Sequence, residues 1–559
     1  MRLKTIVLSA LALILFVGCN EKQIVPDLDS NASYMTVRLV SPADVHTKGS
    51  QGGYALGTAD EGKIKNAHFY FYDVMGNFVV EGETISDLGT TQQGAGSNIE
   101  RKTDVTIVLR NVTVLPDQMF VVLNLPVADA AKFPGKTLTE AQAQVAEIYK
   151  NADTSFIMTS TTYRKKDENP PVIFTTRNIS GNLKKTEAEA KDHPVNAYVE
   201  RLAVKGSLTI KDADATLLMP NEVPASFSTV TAPFQGEEKN VTIKINGWGF
   251  SNLNKSSYYI KKIDNAWTYA WNWDDYNQTD TWGGHYRSFW AQDANYTDGV
   301  YPTNYADLRD EGSGDQITPE TASLTYQPYS AIAATTWRAA DYCHENTIAG
   351  NLLTGHGYMN AATNILVAAQ MKIATESDYV TLYRFNGVFY TWAQYSALLA
   401  ANLNQAYQKT GGAAYTAADF QLPIPADTTT CTNLYDGEIK PRFTPEAAAV
   451  STDEAKNYLK GDRFITEVFT EGSMYYSIPI EHFLDPNYQK DPADPFNVGD
   501  FGVVRNHYYQ VTVTDIQNVG IGVFNVNEPI VPNYDPSTYY LAATLNILAW
   551  QTVTQNIVL

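Results

Sequence analysis

The residue with the clearest chemical signature is Cys19, which follows Gly18 at the end of an apolar run over residues 6–17. Two basic residues precede that run, and it is too short to span a bilayer comfortably. Basic, apolar and small-residue-cysteine elements in this order are typical of a secretory signal whose cysteine is acylated. We therefore predict a lipoprotein signal peptide over residues 1–18 and a lipid anchor on Cys19. The alternative is a plain signal peptide, because Phe16 departs from the leucine usual at that place.

The other two cysteines offer little chemistry. Cys343 and Cys431 can form one disulfide in an oxidising compartment or remain buried free thiols, and they are too few to hold zinc. A loop with Asp491, Asp494 and Asp500 carries oxygen ligands of the kind that calcium prefers, but its spacing matches no defined calcium loop. We read this loop as solvated, and we predict no metal site and no cofactor.

Catalytic residues are not indicated by any motif. The pairs His344-Glu345 and Glu481-His482 combine acid and base types, but neighbours on a strand point to opposite faces of the sheet. The sequence also contains no nucleophile elbow, metalloprotease helix or phosphate-binding loop. We therefore predict that the protein is not an enzyme.

A run of alternating aromatic residues is the best candidate for ligand recognition. Trp267, Trp271 and Trp273 fall in one period-two register and could line a ribbon on which a sugar or a partner protein stacks. The alternative is that these side chains pack in a core or an interface.

The elements that must position these residues are mainly strands. Alternating apolar residues, separated at short intervals by turn residues, are the pattern of sandwiches built from hairpins and Greek keys. The chain has 61 acidic and 41 basic residues and a net charge of -20, which disfavours nucleic acid and anionic membranes as partners. The clearest predicted strands are 35–40, 67–72, 105–109, 120–125, 241–245, 475–480 and 511–516.

Two helices are predicted as covers on a sheet. Thr137 and Glu140 form a capping box ahead of a helical face that includes Val145 and Ile148. Thr391 begins a second helix, for which residues 411–412, both glycine, supply the stop.

A domain boundary is expected near residue 215, where a long predicted strand, 198–210, ends in a polar run. We predict an amino-terminal β-sandwich over residues 49–215. A second sandwich follows over residues 216–540, with an aromatic-rich insertion at residues 266–342.

Several segments resemble the fimbrillin family of Bacteroidales, the lipoprotein-derived pilins of type V pili, and in particular the major subunit of the short (minor) fimbriae. The most specific is residues 502–509, GVVRNHYY, with the strand that follows it. Further matches in family order are YYSIPI at 475–480, YCHENT at 342–347, INGWG at 245–249 and VERLA at 199–203. The resemblance covers nearly the whole chain and is weakest over residues 267–335.

The resemblance implies an all-β fold with minor helices, two transthyretin-like Greek-key β-sandwich domains in tandem. It also implies assembly by strand exchange: an arginine- or lysine-specific protease removes an amino-terminal strand, and the carboxyl-terminal strand of another subunit fills the groove. On this basis residues 19–48 form a propeptide with a removable strand, and residues 541–559 form the donor strand. A sheet edge with unpaired backbone groups is a physical template for such a strand.

The last nineteen residues have a pattern suited to that role, because most odd-numbered positions are apolar and most even-numbered positions are polar. Burying the larger odd-register side chains would contribute on the order of 9 to 18 kcal/mol before entropic costs. The alternative is an ordinary last strand of its own domain. The predicted inward-facing residues are Leu541, Leu545, Ile547, Val553, Ile557 and Leu559.

Maturation is expected between Lys48 and Gly49. A trypsin-like enzyme requires a basic residue, and Lys48 is the only lysine or arginine between Arg38, inside the first strand, and Lys63, next to the second. The glycine-rich surroundings favour protease access. An uncut surface loop is the alternative, and many family members have arginine at this place.

The function that the resemblance implies is a structural pilin subunit that mediates adhesion. It would be anchored in the outer membrane as a lipidated precursor and then located in the extracellular fimbria, and its only membrane contact would be the lipid. Its partners would be other copies of itself, accessory fimbrial subunits and receptors on host or bacterial surfaces. The alternative is a non-polymerising glycan-binding or tip-adhesin lipoprotein that uses the tryptophan run.

Overall fold

The described part of the chain is built mainly from β-strands, which confirms the predicted all-β class with minor helices. All seven segments predicted as strands from their alternation lie in or overlap a strand. Within the described residues, no helix is long and apolar enough to cross a membrane. The computed structural model describes residues 33–42, 57–86, 88, 92–93, 99–110, 112–164, 173–211, 216–217, 221–223, 227–263, 286–287, 290–294, 324–333, 336–347, 362–422, 438–482, 499–530 and 551–558.

Most of the amino-terminal strands form one large sheet, which we call the first sheet, whereas β8 pairs with β20 and β10 pairs with β11 and β21. Its main path runs β3-β2-β7-β9-β13-β1-β6-β5, with β12 beside β7 and β4 beside β2. The strands of this part are β1 (Ser33–Pro42), β2 (Asn66–Tyr72), β3 (Phe78–Glu81), β4 (Ile85–Ser86), β5 (Gln92–Gln93), β6 (Ile99–Leu109), β7 (Gln118–Leu123), β8 (Val145–Ala146), β9 (Met158–Ser160), β10 (Thr162–Arg164), β11 (Ile173–Phe174), β12 (Arg177–Asn178) and β13 (Val195–Arg201).

The first sheet folds over on itself around a single core. Phe69 and Phe71 of β2 and Val121 of β7 share one buried cluster with Val37 of β1 and Ile107 of β6. Strands that are distant along the sheet therefore face each other, as in a sandwich.

The remaining strands form the carboxyl-terminal part. Two of its sheets face each other: β15-β14-β34-β36, with β23 beside β14, and β29-β31-β26-β27-β17-β18-β25-β32-β35, with β16 beside β18. The strands are β14 (Ala203–Lys211), β15 (Thr216–Leu217), β16 (Asn221–Glu222), β17 (Thr231–Phe234), β18 (Glu237–Ser251), β19 (Leu253–Asn254), β20 (Ser257–Tyr258), β21 (Tyr286–Arg287), β22 (Leu324–Thr325), β23 (Asp341–His344), β24 (Asn346–Thr347), β25 (Asn364–Ile373), β26 (Leu382–Phe385), β27 (Val388–Tyr390), β28 (Phe420–Gln421), β29 (Glu438–Ile439), β30 (Arg442–Phe443), β31 (Thr466–Phe469), β32 (Ser473–Pro479), β33 (Gly502–Val503), β34 (His507–Asp515), β35 (Ile521–Gly522) and β36 (Gln551–Val558).

A shared core joins these two sheets. Leu208 of β14 and Val511 of β34 lie in one buried cluster with Ile243 of β18. At Gly206 an added Cβ would stand 2.2 Å from the ring of Phe250, so only glycine fits.

The two predicted helices both exist, and both capping boxes form. The predicted lengths were wrong, because the first helix ends at Gln142 and Val145 already belongs to β8. The second ends at Leu403, eight residues before the two glycines that were predicted to stop it. The helices are Leu138–Gln142, Glu187–Asp192, Tyr329–Ile332, Trp392–Leu403, Pro445–Ala449 and Asp453–Lys460, with short 3-10 helices at Val127–Lys132, Ala417–Asp419, Asp462–Phe464 and Thr470–Gly472.

The predicted continuous strand over residues 198–210 is also wrong, because it is two strands. β13 pairs within the first sheet, whereas β14 pairs with β34 and β23 in the carboxyl-terminal part. Leu202 stands between them, and its amide donates to the carbonyl of Ile157 (2.9 Å) instead of to either sheet. The chain therefore passes from one sheet to the other at this residue.

Candidate functional site

The candidate site is the position that β1 holds inside the first sheet. One edge of β1 pairs in parallel with β13, with Val37 opposite Val195. The other edge pairs antiparallel with β6, beginning with Ser33 opposite Leu109. Because both edges are hydrogen-bonded, removing β1 would leave two unpaired strand edges that face each other.

The inward face of β1 is part of the first core. Met35, Val37 and Leu39 alternate along the strand, and their exposed fractions are 0%, 0% and 2%. Burying three side chains of this size stabilises the fold by roughly 5 to 9 kcal/mol in total. β1 is therefore expected to stay in place while its groove has no other occupant.

The other face of β1 carries polar cross-strand pairs with β6. The hydroxyls of Thr36 and Thr106 lie 3.0 Å apart, and the guanidinium of Arg38 donates to both carboxylate oxygens of Asp104 at 2.8 Å. These pairs stand directly opposite each other in the register. Such pairs fix the register of a strand more than they add stability.

The chain that follows β1 is fixed to a junction between the two parts of the molecule. The Nε of Arg201 donates to the carbonyl of Glu61 at 2.8 Å, and the ammonium of Lys205 lies 2.7 Å from the Glu61 carboxylate. The hydroxyl of Tyr342 donates to the same carboxylate. Burial favours a raised pKa for Glu61, but Lys205 and Tyr342 outweigh it and hold the pKa below its usual value. Residues around Glu61 are therefore anchored independently of β1.

Further buried ion pairs complete the junction. The Nε of Arg505 donates to the carboxylate of Glu345 at 2.8 Å, and the Arg505 guanidinium also reaches the carbonyl of Tyr258 at 2.6 Å. Burial alone would raise the pKa of Glu345, yet Arg505 and Lys261 hold it below its usual value. Lys261 lies 3.5 Å from Glu200, and burial lowers its pKa. The motif segments around 199–203, 342–347 and 502–509 thus converge here.

The histidines singled out in the sequence are held inside the protein. The Nε2 of His344 lies 3.2 Å from the carbonyl of Glu147, which can only accept, so its Nδ1 accepts from the hydroxyl of Ser257 at 2.9 Å. Burial lowers the pKa of His344 to about 4. His482 is hydrogen-bonded through Nδ1 to the hydroxyl of Tyr509 at 2.8 Å. These contacts give both side chains a structural role.

The carboxyl-terminal strand holds a different kind of position. β36 pairs in parallel with β34, with Gln551 opposite His507 and Ile557 opposite Val513. It stands at the end of its sheet, so in the described part of the chain only one of its edges is paired. A strand held along one edge is the kind that can pair elsewhere.

Most of the residues predicted from the sequence to form sites lie outside the described residues, and their roles remain predictions. Of the donor-strand residues, Val553 lies opposite Tyr509 and Ile557 lies in β36. Cys343 is buried with a free thiol. The described residues contain no group of side chains that could hold a metal ion. Those outside are Cys19, Lys48, Gly49, Trp267, Trp271, Trp273, Leu541, Leu545, Ile547 and Leu559, together with Cys431, Asp491 and Asp494.

The predicted family resemblance is confirmed by comparison with known families. Residues 467–556 match the family model described as "Major fimbrial subunit protein type IV, Fimbrillin, C-terminal". The matched segment begins in β31 and includes both β34 and most of β36. This match supports a fimbrial structural or adhesive protein at the cell surface, which assembles with other fimbrial subunits. At the level of the family it also supports a protein that is not an enzyme.

Solved structures give more distant likenesses. A candidate cell adhesion protein of Parabacteroides distasonis is 9% identical, with 94% of this chain and 98% of that chain covered and a TM-score of 0.34. A fimbrial assembly protein of the same organism is 12% identical, with coverages of 62% and 83% and a TM-score of 0.26. The tip fimbrial protein Mfa3 of Porphyromonas gingivalis is 12% identical, with coverages of 59% and 77% and a TM-score of 0.25. Likenesses this distant indicate nothing about the function of this chain. No curated protein matches the chain.

Proposed function

We propose that this chain, which carries a fimbrillin carboxyl-terminal region, is a structural pilin subunit of an adhesive surface fimbria. It is exported as a lipoprotein anchored through Cys19, cut by a trypsin-like protease after Lys48 and polymerised by donor-strand exchange. The observation that carries the proposal is the position of β1, whose two edges are both paired in the first sheet. Its removal creates a groove that one extended strand fills.

Cutting at Lys48 is supported by the two ordered features that flank it, the end of β1 and the anchored residue Glu61. β1 ends at Pro42, and the chain is anchored again by Glu61 at the junction. A cut between these two points separates β1 and its lipid from the body but leaves the junction intact. The mature chain would begin at Gly49.

Filling the groove requires a strand with the alternation of β1. The carboxyl-terminal segment begins with apolar residues at five successive odd positions, 541, 543, 545, 547 and 549. Placed between β13 and β6, these residues would replace Met35, Val37 and Leu39 in the core. The incoming strand would also satisfy the backbone groups of both neighbours.

The experiment that tests this function is amino-terminal sequencing of subunits sheared from cells. We expect wild-type subunits to begin at Gly49. A Lys48→Ala variant should form no fibre, and its subunits, extracted from the cell membranes, should keep their amino terminus at Cys19. Lys63→Ala is the matched control, because Lys63 is exposed and lies beyond the proposed cut. A mature chain that begins at Cys19 in wild type, or beyond Lys63, would overturn the maturation step.

Gel analysis without boiling distinguishes this function from that of a non-polymerising adhesin. A strand buried in a neighbour leaves very slowly, so a stalk subunit should run as a ladder of high-mass species. A single monomer band from mature protein would favour the adhesin that uses the tryptophan run.

A further inference from the structure

Two loops at one end of the first sheet expose large apolar side chains. Val74 and Met75, in the turn between β2 and β3, are 72% and 81% exposed. Val114 and Leu115, in the loop between β6 and β7, are 52% and 68% exposed. We call these four residues the distal patch. Apolar side chains gathered at one place on a surface commonly mark an interaction site.

The two loops are adjacent because their strands are paired. Tyr72 lies opposite Gln118 in the register of β2 and β7. The amide of Asp117 donates to the carbonyl of Tyr72 at 2.9 Å, and the side-chain amide of Gln118 donates to the carbonyl of Asp73 at 3.0 Å. These bonds hold the two loops side by side at one end of the first sheet, and the distal patch is shared between them.

The turn that presents Val74 and Met75 is rigid. The carboxylate of Asp73 accepts from the amides of Met75 and Asn77, both at 2.8 Å. This Asx turn directs the two apolar side chains away from the sheet. Val74 and Met75 are therefore exposed in a defined backbone conformation. Because the turn is already ordered, less conformational entropy is lost when a partner binds.

The opposite end of the groove around β1 is closed by the chain itself. β13 runs in parallel with β1 and continues to Arg201, where Glu61, Lys205 and Tyr342 form the junction. β1 begins at the other end, where Ser33 lies opposite Leu109 and the loop with Leu115 follows β6. The distal patch therefore lies at the end of the groove opposite the junction, where the backbone of Lys184 also pairs with Tyr34.

We propose that the distal patch contacts the body of a second copy of this chain, the copy whose carboxyl-terminal strand fills the groove of β1. The contact rests on the proposed donor-strand function. An inserted strand is continuous with its own subunit, and because the junction occupies one end of the groove, that subunit would stand at the opposite end, beside the distal patch. Two copies that each carry a net charge of -20 repel each other, and the four apolar side chains of the distal patch add no charge to that repulsion. An anionic lipid surface would be repelled in the same way.

The test compares two variants of the full-length precursor, produced in cells that assemble the fibre. Met75→Asp combined with Leu115→Asp places two charges in the distal patch. Val127→Asp is the matched control, because Val127 is 93% exposed and follows β7 at the junction end of the sheet. All three side chains are exposed, so the thermal unfolding of each precursor should stay that of wild type.

We expect the double variant to lose about tenfold or more of the high-mass ladder, because each contact residue at an interface centre changes affinity several-fold. Val127→Asp should keep the ladder. A normal ladder from the double variant, or equal loss from Val127→Asp, would overturn the proposal. A photo-crosslinker at Met75 should join subunits, whereas cross-links to lipid alone would also overturn it. A different result would show that the donor-strand function itself is wrong. In that case a precursor without residues 541–559 would still form fibres.

Discussion

The first and last strands of the chain share an alternating sequence but stand in different places. β1 is paired along both edges in the first sheet, and Met35, Val37 and Leu39 are buried in its core. β36 ends its sheet and is paired with β34 alone in the described part of the chain. β1 thus lies between two strands of its sheet, whereas β36 lies at the edge of its sheet as described.

The difference shows what each strand needs before it can leave. To dissociate, β1 would have to lose its backbone hydrogen bonds to β13 and β6 and the burial of its apolar side chains. It is also joined to a segment that Glu61 fixes at the junction. Among the described residues β36 pairs with β34 alone. Replacement of β1 therefore requires both cleavage of the chain and a competing strand. Release of β36 requires only that its pairing with β34 be exchanged for a more stable one.

The largest expected effect comes from removing the outer strand. A precursor that lacks residues 541–559 should keep the unfolding transitions of the full-length precursor, because Leu208 of β14, Val511 of β34 and Ile243 of β18 remain in the core that joins the two facing sheets. It should form no fibres, because no strand is left to fill a neighbour's groove. Electron microscopy of cells that carry only this form tests both the donor role of residues 541–559 and the groove around β1 that they would fill.

A sharper version of this deletion changes side chains only. Leu545→Asp with Ile547→Asp alters the proposed inward face, and Thr544→Asp with Asn546→Asp is the matched control on the other face. Fibres should be absent in the first pair and present in the second. Normal fibres from the deletion, or equal behaviour of the two pairs, would contradict the role given to this strand.

A smaller effect is expected within the inner strand. Leu39→Ala leaves a cavity in the first core and should lower the free energy of unfolding of the precursor by about 2 to 5 kcal/mol. Arg38→Ala removes only a partly exposed ion pair with Asp104, so its effect should be under about 1 kcal/mol. Urea unfolding of the uncut precursor measures both. If the two variants were equally stable, β1 would not be a strand buried in the first core.

The smallest expected effect is a pH dependence of stability caused by His344, which lies at the junction between the two parts. The folded pKa of His344 is about 4, below the value of about 6.5 for an exposed histidine, so the folded state binds fewer protons. Its contribution to stability is present above pH 6.5 and is lost as the pH falls towards 4. Between pH 7 and pH 5 we expect His344 alone to account for a loss of about 2 kcal/mol in the free energy of unfolding.

Two variants isolate that contribution. His344→Gln keeps a donor for the Glu147 carbonyl but does not titrate, so the loss between pH 7 and pH 5 should shrink. His193→Gln changes an exposed histidine and should leave the loss as in wild type. An unchanged loss in His344→Gln would show that other groups cause it.

The strands were predictable because alternation depends only on local sequence. β1, β6 and β34 follow it closely, since each has one face in a core and the other outside. The helix that begins after Thr391 was predicted at its start but not at its end. There the side chain of Asn404 exchanges hydrogen bonds with the backbone of Tyr415, at 2.7 and 2.9 Å, and this long-range pairing turns the chain before the glycines.

The junction could not be predicted from the residues alone. Arg201 and Arg505 are among the largest fully buried side chains, although charged residues normally lie at the solvent-exposed surface. Their partners lie far away in sequence, because Arg201 and Glu61 differ by 140 in residue number and Arg505 and Glu345 differ by 160. The only available signal was that these arginines lie in the segments 199–203 and 502–509, which resemble the family.

The structure of the assembled fibre, determined by electron cryo-microscopy, tests the central claim most directly. The strand between β13 and β6 of each subunit can be identified there by its side chains. We predict that it consists of residues from 541–559 of a neighbouring copy and that residues 33–42 are gone. A fibre in which Met35, Val37 and Leu39 still occupy that position would contradict the account.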